Sequence, residues 1–229
     1  MYQLHIANKN YSSWSLRPWV LMKTLDIPFD EALHPFQSGD NHDLFAHFSP
    51  TGRVPVLYDG ATAVWDSLAI AEYLADTHAG IWPEERQARA WARCAAAEMH
   101  AGFGTLRNLC PMNCGLRVRL PALPDALRAD LTRLDALWRQ GLSRFGGPFL
   151  AGPAFSAADA FFAPVVFRVQ TYGLPLSDAA QAWCRAMLAL PALREWYQQA
   201  LAEEWRDPSH EEESVGQGEI IEDLRGRTE

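Results

Sequence analysis

Three short clusters in this chain combine residue types that bind or activate small ligands. The first is Asn10-Tyr11-Ser12-Ser13-Trp14-Ser15-Leu16-Arg17, between a strand-like run and a helix pattern. Hydroxyls at such a junction sit at the positive end of the helix dipole, where backbone N–H groups point outward. A serine there can donate a hydrogen bond to a thiolate and lower the thiol's pKa. As a nucleophile it would need a paired base, and no histidine stands beside it. The second cluster is Arg53-Val54-Pro55-Val56-Leu57. Proline cannot donate to a ladder, so it belongs at a strand start or edge. A cis bond at Val54-Pro55, a minority state for X-Pro, would leave the N–H and C=O of Val54 free to pair with an extended peptide. The third is Asp66-Ser67, where an apolar run gives way to a helix pattern. A hydroxyl and free N–H groups at a helix start make a site for a small carboxylate. Taken alone, Ser12, Ser13 and Ser15 read as competing N-caps. The three clusters together fit a short peptide with a free α-carboxylate and α-amine.

The elements that must position these clusters follow from periodicity. Tyr2 to Ala7 is strand-like. A helix runs to Leu25, and Pro18 is tolerated only in a first turn, which predicts a start near Ser15. Phe29 to His34 is a second strand, and a short helix is expected over Asn41 to Phe48. Val54 to Tyr58 and Ala61 to Trp65 are strands around the turn signal Asp59-Gly60. Ser67 to Thr77 is a helix. The order β-α-β-α-β-β-α predicts an α/β domain with a mixed sheet over residues 1 to 78. After His78 to Pro83 only helix patterns remain: Glu84 to Leu109, Asp125 to Phe145, Ala157 to Gln170, Ala179 to Leu190 and Ala192 to Glu203. They predict an all-helical domain over residues 84 to 205. Ser156-Ala157-Ala158-Asp159 reads as a capping-box variant ahead of an apolar, hence buried, helix.

Charge and cysteines narrow the function classes. The 229 residues carry a net charge of −8, of which −6 falls from Asp207 onward. The nearly neutral body argues against a nucleic-acid footprint, and residues 206 to 229 read as an acidic, loosely packed tail. No apolar run is long enough to span a membrane, and the start lacks the form of a signal peptide. A cytoplasmic protein is expected. None of the four cysteines has zinc spacing, so unpaired thiols and no metal are expected.

Over residues 2 to 205 the chain resembles the cytosolic glutathione transferases, through the serine cluster, the Val-Pro strand, Asp66 to Leu74 and the Ser156 to Asp159 cap. The serines ending in arginine look most like the zeta class, which includes maleylacetoacetate isomerases; Trp14 stands where that class has cysteine. The resemblance implies a thioredoxin-like domain followed by an all-α domain, with glutathione as co-substrate and a small electrophile as partner substrate. It implies Ser13, with Ser12 as the other choice, as the hydroxyl that meets the thiol. It implies Trp14, Arg53, Val54, Pro55, Asp66 and Ser67 as the glutathione-binding set. Ser67 would hold the γ-glutamyl carboxylate, Asp66 the amine, Arg53 the glycyl carboxylate and Val54 the cysteinyl backbone. Gln37, Asp40 and His42 belong to a loop near the same end of the tripeptide. Met99, His100, Phe103, Arg107 and Met112 are expected on the electrophile side. A homodimer is also implied. Two other readings are a glutathione-dependent isomerase and a non-catalytic interaction module of the same fold.

Overall fold

The computed structural model describes residues 1–226. Strands β1 (Tyr2–Ile6), β2 (Phe29–Leu33), β3 (Val56–Asp59) and β4 (Thr62–Val64) form one mixed sheet in the order β2-β1-β3-β4. β1 pairs parallel with β2 (Tyr2 with Phe29) and antiparallel with β3 (Leu4 with Leu57). The two-residue connection between β3 and β4 is Gly60-Ala61, one residue later than the Asp59-Gly60 signal suggests. The register pairs Asp59 with Thr62, and Gly60 takes φ +58°, which only glycine adopts readily.

Helix α1 (Ser13–Thr24) begins two residues earlier than its proline predicts. Pro18 lies inside it, so the carbonyl of Trp14 loses its helical donor. Burial explains the tolerance, because residues 15 to 22 are all buried between the sheet and the helical domain. Helix α2 (His42–Ala46) is shorter than expected, and α3 (Ser67–Ala75) completes the first domain. The linker is packed rather than loose: Ile81 and Trp82 are buried, and the Ile81 carbonyl accepts from Ala157 N at 2.8 Å.

The single helix expected over Glu84 to Leu109 is two, α4 (Arg86–Ala101) and α5 (Gly104–Leu109). A Cβ on Gly102 would stand 2.7 Å from the Glu98 carbonyl, and Phe103 adopts φ +53°. Both features mark the break between the two helices. Helices α6 (Asp125–Phe145), α7 (Ala157–Tyr172), α8 (Asp178–Leu188) and α9 (Pro191–Ala202) follow the expected pattern. The capping box at Ser156 and Asp159 opens α7, which is buried along nearly its whole length and packs on α1 and α4.

The helical domain also contains strands. β5 (Leu116–Arg119) pairs antiparallel with β6 (Glu219–Asp223), and α10 (Pro208–Val215) precedes β6. The loose tail expected after residue 205 is thus ordered over these elements; residues 227 to 229 of that tail lie outside the described residues. Several of the acidic side chains that suggested looseness have local partners. Asp207 caps α10 by accepting from His210 N at 3.1 Å, and Arg225 bonds Asp223 at 2.7 Å and also Glu211. No described helix is long and apolar enough to cross a membrane.

Candidate active site

The loop between β1 and α1 is fixed by the helical domain. Glu203, just past α9, accepts from Lys9 N at 2.5 Å and Asn10 N at 3.1 Å. Trp196 Nε1 donates to the Lys9 carbonyl at 2.9 Å, and Asn10 Nδ2 donates to Asn113 Oδ1 at 3.1 Å. This clamp holds Ser12 and Ser13 at the mouth of α1. Burial pushes the Glu203 pKa up, opposed by its two backbone hydrogen bonds. Sequence reasoning missed Glu203 and Asn113 and gave Asn10 no role of its own, because residues about 100 to 200 positions apart leave no local signal.

The hydroxyls at this corner differ in what they already do. Ser12 Oγ donates to Ser15 Oγ at 2.7 Å, and Ser15 Oγ accepts from Ala7 N at 3.3 Å. Tyr11 OH donates to Glu211 Oε1 at 2.6 Å; burial first, then this bond, raise its pKa. Ser13 is half-buried, and its hydroxyl makes no hydrogen bond within the described residues.

A cavity of about 520 Å³ opens between the two domains, and Ser12, Ser13, Trp14, Arg53 and Val54 all line it. The Val54-Pro55 bond is cis. Asp40 and His42 line the cavity as well, whereas Gln37 does not. Gly52 lets the loop close on His42: a Cβ there would meet the His42 ring at 2.6 Å. From the electrophile-side set, Arg107 and Met112 reach the cavity. Met99 and Phe103 are buried in the core instead. Two lining residues, His210 and Glu213, come from α10; His210 stacks on Phe36 with ring centres 4.6 Å apart.

Pro55, Asp66 and Ser67 lie outside this lining. Asp66 caps α3, accepting from Leu68 N at 3.0 Å. Its other oxygen stands 3.2 Å from His100 Nε2, and the His100 ring meets Trp14 edge-on at 5.2 Å. Asp66 thereby connects to the cavity wall through two side chains. Ser67 is 1% exposed, and its hydroxyl is buried with no hydrogen-bond partner. A buried unsatisfied donor at a helix start suits a carboxylate ligand.

Family comparison adds what geometry alone does not. Residues 11–77 match the glutathione S-transferase N-terminal domain and residues 117–199 the C-terminal domain of the same family. The chain belongs to the glutathione S-transferase family. Mouse glutathione S-transferase theta-1 is 28% identical over 209 residues, covering 86% of this chain and 82% of its own. Rat maleylacetoacetate isomerase is 25% identical over 189 residues, covering 80% and 85%. A Burkholderia glutathione transferase homolog solved with bound glutathione superposes with a TM-score of 0.65 at 21% identity, covering 87% of this chain and 97% of its own. Glutathione is the bound ligand of that homolog, and the fold of this chain is the expected thioredoxin-like domain joined to a helical domain.

Proposed function

We propose that this transferase activates the glutathione thiol with the Ser13 hydroxyl for attack on a small electrophile. The observation that carries this reading is the division of labour among adjacent hydroxyls. Ser12 and Tyr11 spend their protons on Ser15 and Glu211, while Ser13 faces the cavity with its proton uncommitted. In this reading Val54 pairs with the cysteinyl backbone, Ser67 holds the γ-glutamyl carboxylate, and Arg53 meets the glycyl carboxylate. Asp66 reaches the amine, Trp14 forms part of the wall, and Pro55 follows Val54 through the cis bond. The thiol proton leaves to solvent. Ser13 and the first N–H groups of α1 then stabilise the thiolate. Its sulfur forms a bond to an electrophilic carbon. A leaving group departs with its electron pair, or a proton quenches the carbanion formed.

The similarity to rat maleylacetoacetate isomerase supports a second outcome of the same step. There the thiolate adds to a conjugated double bond, the new single bond rotates, and the sulfur leaves with its pair. Both outcomes use the same activation.

The test is glutathione titration followed by calorimetry and by thiolate absorbance against pH. The wild type binds and lowers the thiol pKa. Ser13→Ala binds with similar affinity, no longer shifts the thiol, and loses on the order of 10²-fold in kcat. A Ser13→Ala protein with an unchanged thiol pKa removes the serine from the mechanism. A wild type that does not bind glutathione favours the interaction module.

A further inference from the structure

Beside the serine corner stand three arginines without carboxylate partners. Among the described residues, Arg93, Arg133 and Arg225 each bond a carboxylate, but Arg17, Arg107 and Arg168 form no ion pair. Arg17 is 2% exposed, and its Nε and Nη1 have no hydrogen-bond partner. Its guanidinium stacks 4.0 Å from the centre of Trp14 and 5.1 Å from Phe161. Arg107 approaches the same Trp14 ring at 5.7 Å, with its Nε buried and unpartnered. Arg168, 4% exposed, is braced by Nε to the Cys110 carbonyl at 2.7 Å and by Nη1 to the Pro164 carbonyl at 3.2 Å. Arg107 and Arg168 both line the cavity.

Burying like charges together is unfavourable unless an anion compensates them. Contact with aromatic faces offsets only part of that. The strain is visible in the groups themselves: burial, then the neighbouring arginines, bring the Arg17 pKa down to about 9. Burial brings Arg168 down to about 10. Among the described residues, the carboxylate that raises the Arg17 pKa is Asp66, and its Oδ2 already stands 3.2 Å from His100 Nε2. Asp40 and Glu213 line the same cavity but form no ion pair with these guanidiniums.

We propose that the electrophile bound in this cavity carries a carboxylate, held by Arg107 and Arg168 beside Trp14, with its apolar body against Pro111 and Met112. This rests on the glutathione reading above, which places the tripeptide's own carboxylates at Arg53 and Ser67 and so leaves these two arginines for the second substrate. Guanidinium groups pair with carboxylates through parallel N–H donors. Arg17, behind them, adds positive potential and is a positioning residue.

The experiment compares two chloronitrobenzenes identical except for a carboxylate or a carboxamide on the ring, with glutathione saturating. In each, the S–C bond forms, chloride leaves with the C–Cl pair, and the thiol proton goes to solvent. The wild type prefers the carboxylate in kcat/KM by about 10-fold or more, the range of a charge-assisted hydrogen bond. Arg107→Met brings the ratio toward one through KM, Arg107→Lys restores part of it, and glutathione affinity stays the same in all three. If neither compound reacts, calorimetric titration of the glutathione-saturated protein with benzoate and with benzamide reads the same discrimination. Normal glutathione binding with no preference for the carboxylate, or a preference that survives Arg107→Met, overturns this inference alone. Absence of glutathione binding overturns the transferase reading and takes this inference with it.

Discussion

The Ser67 hydroxyl sits buried in the first turn of α3 without a partner, a state that costs about 1–3 kcal/mol until something accepts its hydrogen bond. Ser67→Ala removes that unsatisfied group. The variant is therefore expected to be as stable as the wild type or slightly more so, while glutathione Kd rises about 10-fold. Chemical denaturation and calorimetry read the two effects separately; weakened stability with unchanged affinity would assign Ser67 to the fold. Asp159 behaves in the opposite sense. Burial raises its pKa from 3.8 to about 6, outweighing the hydrogen bonds from Leu150 N, Ser156 N and Ser156 Oγ. A carboxyl with a raised folded pKa contributes most stability below its unfolded value and loses that contribution as pH rises through the folded one. The stability difference between wild type and Asp159→Asn is thus expected to be larger near pH 4 than at pH 7, by about 3 kcal/mol at most. Denaturation midpoints at the two pH values check it. The pairing of Ser12 with Ser15 shows why Ser12 and Ser13 look equivalent as letters. Only helix geometry brings residues three apart into contact.

Among the elements, α1 shows how tertiary burial overrides a local rule. Pro18 argues for a start at Ser15, yet the helix begins at Ser13, with residues 15 to 22 packed between the sheet and α7. That places Ser13 and Trp14 in the first turn, with the Ser13 N–H donating to the Tyr11 carbonyl at 2.8 Å. The break between α4 and α5 is the converse case, a left-handed residue after Gly102 inside a continuous helical pattern. It turns α5 so that Arg107 lines the cavity. Where α4 and α6 meet, Gly141 faces the Trp91 ring. A Cβ there would stand 2.4 Å from both the Trp91 ring and the Leu150 carbonyl. Gly141→Ala is expected to destabilise by about 1–3 kcal/mol through overpacking, although alanine is the better helix former by about 1 kcal/mol. Thermal denaturation decides which effect wins; a raised Tm would mean that α4 and α6 separate easily.

For the whole molecule, the C-terminal segment is the main departure from the sequence expectation. Composition alone makes residues 206 to 229 look solvated, but α10 supplies His210 and Glu213 to the cavity and β6 completes a ribbon with β5. Arg225 joins the two parts by bonding Asp223 and Glu211, and Glu211 in turn accepts from Tyr11. The two carboxylates hold the Arg225 pKa above its usual value despite burial. Arg225→Ala is expected to raise the rate of limited proteolysis between residues 207 and 226 several-fold, because local opening governs such cleavage. It should leave the overall Tm within a few degrees. Unchanged cleavage would mean that the β5–β6 ladder alone holds the segment.

The sequence by itself determined the fold class, the order of the first-domain elements and the buried α7, because hydrophobic period, turn residues and caps act within a few positions. It also singled out Ser13, Val54, Arg53 and Ser67, whose neighbours along the chain carry the signal. Only the tertiary structure decided that Glu203 clamps the serine loop, that α10 walls the cavity, and that Arg17 and Arg107 meet on Trp14 while Arg168 lines the same cavity. Each of these depends on side chains tens to nearly two hundred residues apart meeting through packing, and no local pattern records where such partners will lie.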